Sequence, residues 1–228
     1  MYSKFLKRCL DFLLALCAFL FLFPILVLLA LIGAVVMKGN PFFTQPRPGK
    51  NERIFRLIKF RSMTCEKDEN GNLLPDEQRL TGYGKFIRST SIDELPSLLN
   101  IIKGDLSIVG PRPQLVRDMV FMTDGERKRH TVAPGLTGLA QCSGRNNMSW
   151  EQKFAYDLQY IEKITFLGDV KIILKTVVKV FQRDGINEEG MATAEDLGDY
   201  LLRTERVTRE EYDRKQAEAK ELLLGNKK

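Results

Sequence analysis

LDFLLALCAFLFLFPILVLLALIGAVVM, Leu10 to Met37, carries one charge, Asp11, near its start. As one straight helix its roughly 28 residues would reach about 42 Å, longer than the hydrocarbon core of a bilayer. A cleaved signal sequence fits poorly, because the run is too long and no small-residue cleavage pattern follows it. Pro24 stands at its middle, where it removes a backbone donor and bends a helix. Both flanks are basic: Lys4, Lys7 and Arg8 before, then Lys38, Arg47, Lys50 and Arg53 after. Basic flanks favour the cytoplasmic side of a membrane. Two of them predict a re-entrant helix hairpin over residues 1–38 that dips into one leaflet and bends at Pro24. Each arm would have about 14 residues and span roughly 21 Å. An ordinary spanning helix is the competing arrangement. Carbonyls freed at a bend have to find partners inside the protein, since lipid offers none.

Outside this run the chain has the size of one catalytic domain. Its 228 residues carry a net charge of +6, which suits nucleic acid, an anionic membrane or phosphorylated substrates. The four cysteines have neither metal-ligand nor redox spacing, and the single histidine, His130, disfavours zinc chemistry while leaving carboxylate-bound Mg²⁺ open. Gly39-Asn40-Pro41 ends the membrane segment, Phe42 to Thr44 reads as a short strand, and Pro46 to Gly49 as a turn. Arg53 to Met63, RIFRLIKFRSM, alternates basic and apolar residues. It reads either as an edge strand with solvated charges or as a strand that turns Lys59 toward phosphates. Cys65 to Arg79 is a polar surface loop, and Gly82-Tyr83-Gly84 allows close backbone approach.

IRSTSIDELPSLLNIIKGDLSIVGPRP, Ile87 to Pro113, holds the candidate chemistry. Ser91-x-x-Glu94 has the form of a capping box, and Asp93 in the first turn complements the helix dipole. Leu95, Leu98, Leu99 and Ile102 then fall on one helical face, and Gly104 ends the helix. The same residues support a second reading. A helix start attracts anions, and an ionised carboxylate there can attack phosphorus while Arg88 and Arg112 neutralise phosphate charge.

Several motifs in series carry a resemblance. They are Lys59-Phe60-Arg61-Ser62-Met63, Asp93-Glu94-Leu95-Pro96, Gly104-Asp105-Leu106-Ser107, Val109-Gly110-Pro111-Arg112-Pro113, Pro134 to Gln141, and Ser143-Gly144-Arg145. Over roughly Met1 to Asp184 the chain resembles the bacterial sugar transferases, the monotopic polyprenyl-phosphate phosphoglycosyl transferases. With Leu74 to Arg79 and no extra N-terminal membrane domain, it is similar to the branch that transfers diacetylbacillosamine phosphate. The resemblance implies transfer of a sugar 1-phosphate from a UDP-sugar to polyprenyl (undecaprenyl) phosphate, with release of UMP. It implies a ping-pong route in which Asp93 attacks the β-phosphorus and forms a covalent phosphosugar intermediate. It also implies Mg²⁺ near Asp93, a re-entrant membrane helix and a place on the cytoplasmic face of the inner membrane. Glu94 is read as a second catalytic carboxylate or a cap. Lys59, Arg88, Arg112 and Arg145 are read as phosphate or nucleotide ligands. Galactose or N-acetylgalactosamine phosphate is the alternative cargo, and a catalytically silent membrane scaffold the alternative function.

The remaining chain completes the expected fold, a mixed α/β unit that is mostly helical with short strands and amphipathic interfacial helices. Asp105 to Val109 predicts a strand. Gln114 to Arg129 predicts one helix, its Arg127-Lys128-Arg129 end facing either lipid headgroups or solvent. Ser149-x-x-Gln152 opens another helix with Trp150, Phe154, Leu158 and Ile161 on its core face. Asp169 to Gln182 is apolar with Lys171, Lys175 and Lys179 on one stripe, as for a helix in the membrane interface. The catalytic domain is expected over 39–184. Residues 185–228 form a linker and a charged helix capped by Thr208-x-x-Glu211. Basic residues without interleaved aromatics disfavour nucleic acid as a partner and leave membrane lipids.

Overall fold

The computed structural model describes residues 2–144, 148–182 and 195–225. A turn of π-helix, Tyr2–Leu6, runs directly into α1, Lys7–Val36. α1 is one continuous helical run of 30 residues with Pro24 inside it, so no loop separates the two arms expected on either side of that residue. A proline inside a helix forfeits one hydrogen bond and costs about 3 kcal/mol. Packing on both sides of it opposes a turn there. Phe19 and Leu22 before it, and Leu26 and Leu29 after it, join one apolar cluster with Phe60 and Ile87.

One stripe of α1 lies on the rest of the molecule along its length. Asp11, Ala15, Leu26, Leu29 and Gly33 are buried, at helical spacing. Asp11, the lone charge of the apolar run, accepts bonds from Ser107 Oγ at 2.5 Å and Ile108 N at 3.2 Å. Arg8 donates to the carbonyls of Ile101 and Ile102. Near the other end, Tyr83 Oη donates to Leu29 O at 3.0 Å. The opposite face, including Leu13, Leu20, Phe21, Leu31 and Val35, is exposed.

After α1, strands β1 (Phe42–Pro48) and β2 (Ile54–Phe60) form an antiparallel ribbon, with Phe43 opposite Lys59 and Arg47 opposite Phe55. β1 therefore extends past Thr44 and absorbs the prolines expected in a turn. In a two-stranded ribbon each strand has an edge at which a missing N–H is tolerated. The reversal instead uses Gly49 to Arg53, where Asn51 and Glu52 adopt positive φ. A largely irregular stretch leads through α2 (Asp76–Arg79) to α3 (Gly82–Ser89), capped by Thr81. The expected close approach occurs at Gly84, where a Cβ would lie 1.9 Å from Ser62 O.

Next come a 3₁₀ turn, Ile92–Ser97, and α4, Leu98–Lys103, ended by Gly104 at φ 98°. Strands β3 (Ser107–Val109) and β4 (Gly135–Thr137) pair in parallel. The single helix expected over Gln114 to Arg129 is two: α5 (Val116–Met119) and α6 (Asp124–Arg127), with Thr123 and Glu126 forming a fresh capping box. Helix α7 (Leu139–Ser143) precedes α8 (Trp150–Glu162), which starts at the Ser149 and Gln152 capping box as predicted. The buried face of α8 is Trp150, Phe154, Asp157 and Tyr160, rotated from the expected one. Helix α9 (Phe166–Gln182) buries Asp169 and Ile172 and exposes Leu167, Leu174, Val177 and Val178. That unpaired apolar side agrees with an interfacial helix. Asp169 accepts bonds from Tyr2, Lys7 and Tyr160, tying the start of α1 to α8 and α9.

Helices α10 (Leu197–Arg203) and α11 (Arg209–Gly225) close the chain. They share a core with Val116, Met119, Val120 and Phe121 and are not a solvated tail.

Candidate active site

The turn carrying Asp93 and Glu94 starts unlike a capped helix. Ser91 is left-handed, at φ 56° and ψ 17°, and its side chain caps nothing. The expected capping box is therefore absent, and Glu94 is free for another partner. The reason lies in the neighbours. Ile92 and Leu95 pack onto the α1 cluster of Leu26, Leu29 and Ile87, which turns Asp93 and Glu94 the other way. The 3₁₀ turn with Pro96 inside also rephases α4, so Leu98 and Ile101 are its most buried apolar residues. Ile101 was not on the predicted face.

Glu94 Oε1 receives Lys59 Nζ at 2.6 Å and Arg112 Nη2 at 3.3 Å. Burial alone would raise the Glu94 carboxyl, but Lys59 and Arg112 outweigh it and hold it at about 2. Asp93 differs. Among the described residues its carboxylate makes no hydrogen bond or ion pair. Burial pushes its pKa up; Lys59 opposes, Glu94's charge adds to the rise, and Arg88 and Arg112 pull it down. The fold thus brings Lys59, Arg88 and Arg112 around the acidic pair. Arg88 Nε donates to Ser62 Oγ at 2.8 Å. Arg145 lies outside the described residues.

Three supports were missed in the sequence. Asn100, buried in α4, accepts from Ile58 N at 3.0 Å and donates to Arg56 O at 2.8 Å, which locks the Lys59 strand beside the Glu94 turn. Its signal was an amide within the apolar Leu98-Leu99-Asn100-Ile101-Ile102. Arg47 Nη1 donates to Pro113 O at 3.0 Å, and Arg129 Nη2 to Arg112 O at 2.6 Å. Two arginines thereby hold consecutive carbonyls of the Pro-Arg-Pro loop and leave the Arg112 guanidinium to reach Glu94. Burial, with Arg112 nearby, brings the Arg47 guanidinium down to about 10, so it stays charged at neutral pH. Arg129 is itself buried against Asp157, with bonds of 3.0 and 2.6 Å.

The Arg127 to His130 cluster therefore does not face lipid headgroups as a unit. Arg127 bonds Glu52, and His130 is buried 3.4 Å from the same carboxylate. Burial and the Arg129 charge lower the His130 pKa to about 4, so it is neutral and structural.

An unpartnered carboxylate among cations can attack or bind an electrophilic phosphorus whose oxygens those cations neutralise. Mg²⁺ is commonly held by one or two carboxylates, with substrate phosphates and water completing its shell. Asp93, without a hydrogen-bond or ion-pair partner among the described residues, fits that donor set.

The family profile described as bacterial sugar transferase matches residues 2–183. The uncharacterised sugar transferase EpsL of Bacillus subtilis (strain 168) is 49% identical over 195 residues, 83% of this chain and 94% of that protein. The galactosyl transferase CpsE of Streptococcus agalactiae serotype III is 39% identical over 175 residues, 70% of this chain and 39% of its own. The undecaprenyl-phosphate galactose phosphotransferase of Salmonella typhimurium is 33% identical over 201 residues, 80% of this chain and 42% of its own. The chain thus spans about two fifths of these last two relatives.

Proposed function

This chain belongs to the bacterial sugar transferase family, and from that premise we propose that it moves a sugar 1-phosphate from a UDP-sugar to polyprenyl (undecaprenyl) phosphate. The observation that carries the mechanism is the Asp93 carboxylate, unpartnered among the described residues, beside a Glu94 already ion-paired with Lys59 and Arg112. An Asp93 oxygen attacks the β-phosphorus. The bond from that phosphorus to the bridging oxygen breaks, and UMP leaves with the electron pair. The sugar phosphate is now joined to Asp93 as an acyl phosphate. An oxygen of polyprenyl phosphate then attacks the same phosphorus, the bond to Asp93 breaks, and the free carboxylate returns. Two anionic substrates repel each other, and taking them in turn avoids holding both beside one site.

Lys59, Arg88 and Arg112 bind the donor phosphates, with Arg145 as a further phosphate or nucleotide ligand. Glu94 orients Lys59 and Arg112. Asp93 would hold Mg²⁺, which would neutralise phosphate charge when bound. Helix α1 enters one leaflet of the inner membrane from the cytoplasmic side and brings the lipid substrate to the site. Its largely exposed apolar surface supports membrane insertion.

The donor sugar is read from the resemblance as an N-acetylated amino sugar such as diacetylbacillosamine. The names of two relatives, a galactosyl transferase and a galactose phosphotransferase, favour a second reading, galactose. A UDP-sugar panel on purified protein in detergent separates them by UMP release, and no release from any donor would favour a silent scaffold. The mechanism is tested by intact mass. Wild-type protein with donor alone gains the mass of one sugar phosphate, and Asp93→Asn does not. An adduct that survives in Asp93→Asn means another nucleophile.

A further inference from the structure

Residues 195–225 lie beyond the family match, which ends at residue 183, yet they are built into the segment that follows the Arg112 loop. We infer that α10 and α11 position the Pro111-Arg112-Pro113 loop and so tune binding of the donor phosphates; the inference rests on the phosphate role proposed for Arg112.

Several contacts carry it. The buried Asp118 carboxylate accepts from Leu115 N at 3.1 Å, at the end of the loop, and from Leu197 N at 3.0 Å, at the start of α10. One side chain therefore joins the loop exit to the C-terminal segment. Lys215 Nζ on α11 donates to Val120 O at 2.6 Å, holding the peptide that follows α5. Gly198 meets the Phe121 ring so closely that a Cβ would lie 2.7 Å from it, and the same ring packs against Tyr212 with centroids 5.7 Å apart. Arg117 adds an ion pair to Asp196. Arg47 and Arg129 hold the loop's own carbonyls, while its downstream anchor is shared with α10 and α11. Without these helices Asp118 would lose one of its two backbone donors and the apolar side of α5 its cover. A loop whose downstream anchor is loosened samples more positions, which weakens contacts that need an oriented guanidinium.

The test uses full-length enzyme in detergent. Gly198→Val pushes α10 off Phe121. Lys215→Met removes the bond to Val120 O while keeping most of the side-chain volume. Hydrogen exchange is followed for 110–116, for 54–60 and for α10–α11, and kcat and KM are measured with the active UDP-sugar. The expected result is faster exchange in 110–116 with 54–60 unchanged. The KM for donor rises by roughly tenfold, the scale of one charge-assisted hydrogen bond, with a much smaller change in kcat. If α10–α11 exchange faster while 110–116 and KM stay at wild-type values, the inference is wrong. If Gly198→Val unfolds the protein, Lys215→Met decides on the same readouts. A wild type that releases no UMP from any donor overturns the functional reading alone, because the exchange measurement needs no substrate.

Discussion

Asp93 and Glu94 are adjacent in the chain and opposite in circumstance. Glu94 is held at about 2, with two cations on one oxygen. Asp93 is raised by burial, and Glu94's charge adds to it against Lys59. An attacking carboxylate has to be ionised, so the donor half-reaction should be complete above the raised Asp93 pKa and fall as pH drops through it. Glu94 stays ionised across that range. Glu94→Gln removes a like charge beside Asp93 and frees Lys59 and Arg112 to act on it. Both changes lower the Asp93 pKa, so the acid limb of the half-reaction should move to lower pH. A pH profile of UMP release checks this; a limb that stays in place or moves upward refutes the coupling. The ambiguity left at Glu94 by Ser91-x-x-Glu94 is reduced by the left-handed Ser91, which leaves this carboxylate no cap to make.

Helix α1 contains far more apolar residues than its contacts use, and which ones are used follows from spacing. Ala15 is 1% exposed and faces Phe55, Leu57 and Leu98, while its neighbour Leu14 is 54% exposed. Overpacking a filled core site costs about 1–3 kcal/mol. Ala15→Phe should therefore lower the melting temperature of the detergent-solubilised protein, and Leu14→Phe should leave it nearly unchanged. Equal effects would mean that α1 is not docked on this stripe. Composition cannot distinguish the two positions, since both lie in an unbroken apolar run. The fall of the Ile92–Ser97 turn into 3₁₀ geometry was equally hidden, because Ser91 and Glu94 satisfy the pattern of a cap and only packing of Ile92 and Leu95 against α1 decides otherwise.

At the scale of the molecule, both ends of a 30-residue helix are tied to the same unit. Lys7 and Arg8 bind Asp169 and the end of α4, and Leu29 and Gly33 meet Tyr83 on α3. A helix fastened along its length to a polar unit cannot place its two ends on opposite sides of a bilayer without carrying that unit into the lipid. This supports the one-leaflet reading. Single cysteines at Ser3 and Lys38, in a background with the native cysteines replaced, should both react with an impermeant maleimide added from the cytoplasmic side. Labelling from opposite sides would refute it.

The run from Leu10 to Met37, the Asp93–Glu94 pair and the basic residues around it were legible because each rests on local chemistry: hydropathy, charge and motif spacing. The continuity of α1 through Pro24 was not, because the local cost of that proline is opposed by contacts with residues far along the chain. Nor were Asn100, Arg47 and Arg129, whose work is to satisfy backbone groups brought near only by folding. The sequence by itself determined which groups are available to handle phosphate and that one helix needs an apolar surrounding. The tertiary structure alone decided that Asp93 has no partner among the described residues while Glu94 is bound, since that difference depends on which of the two the flanking residues, anchored on α1, turn toward Lys59 and Arg112.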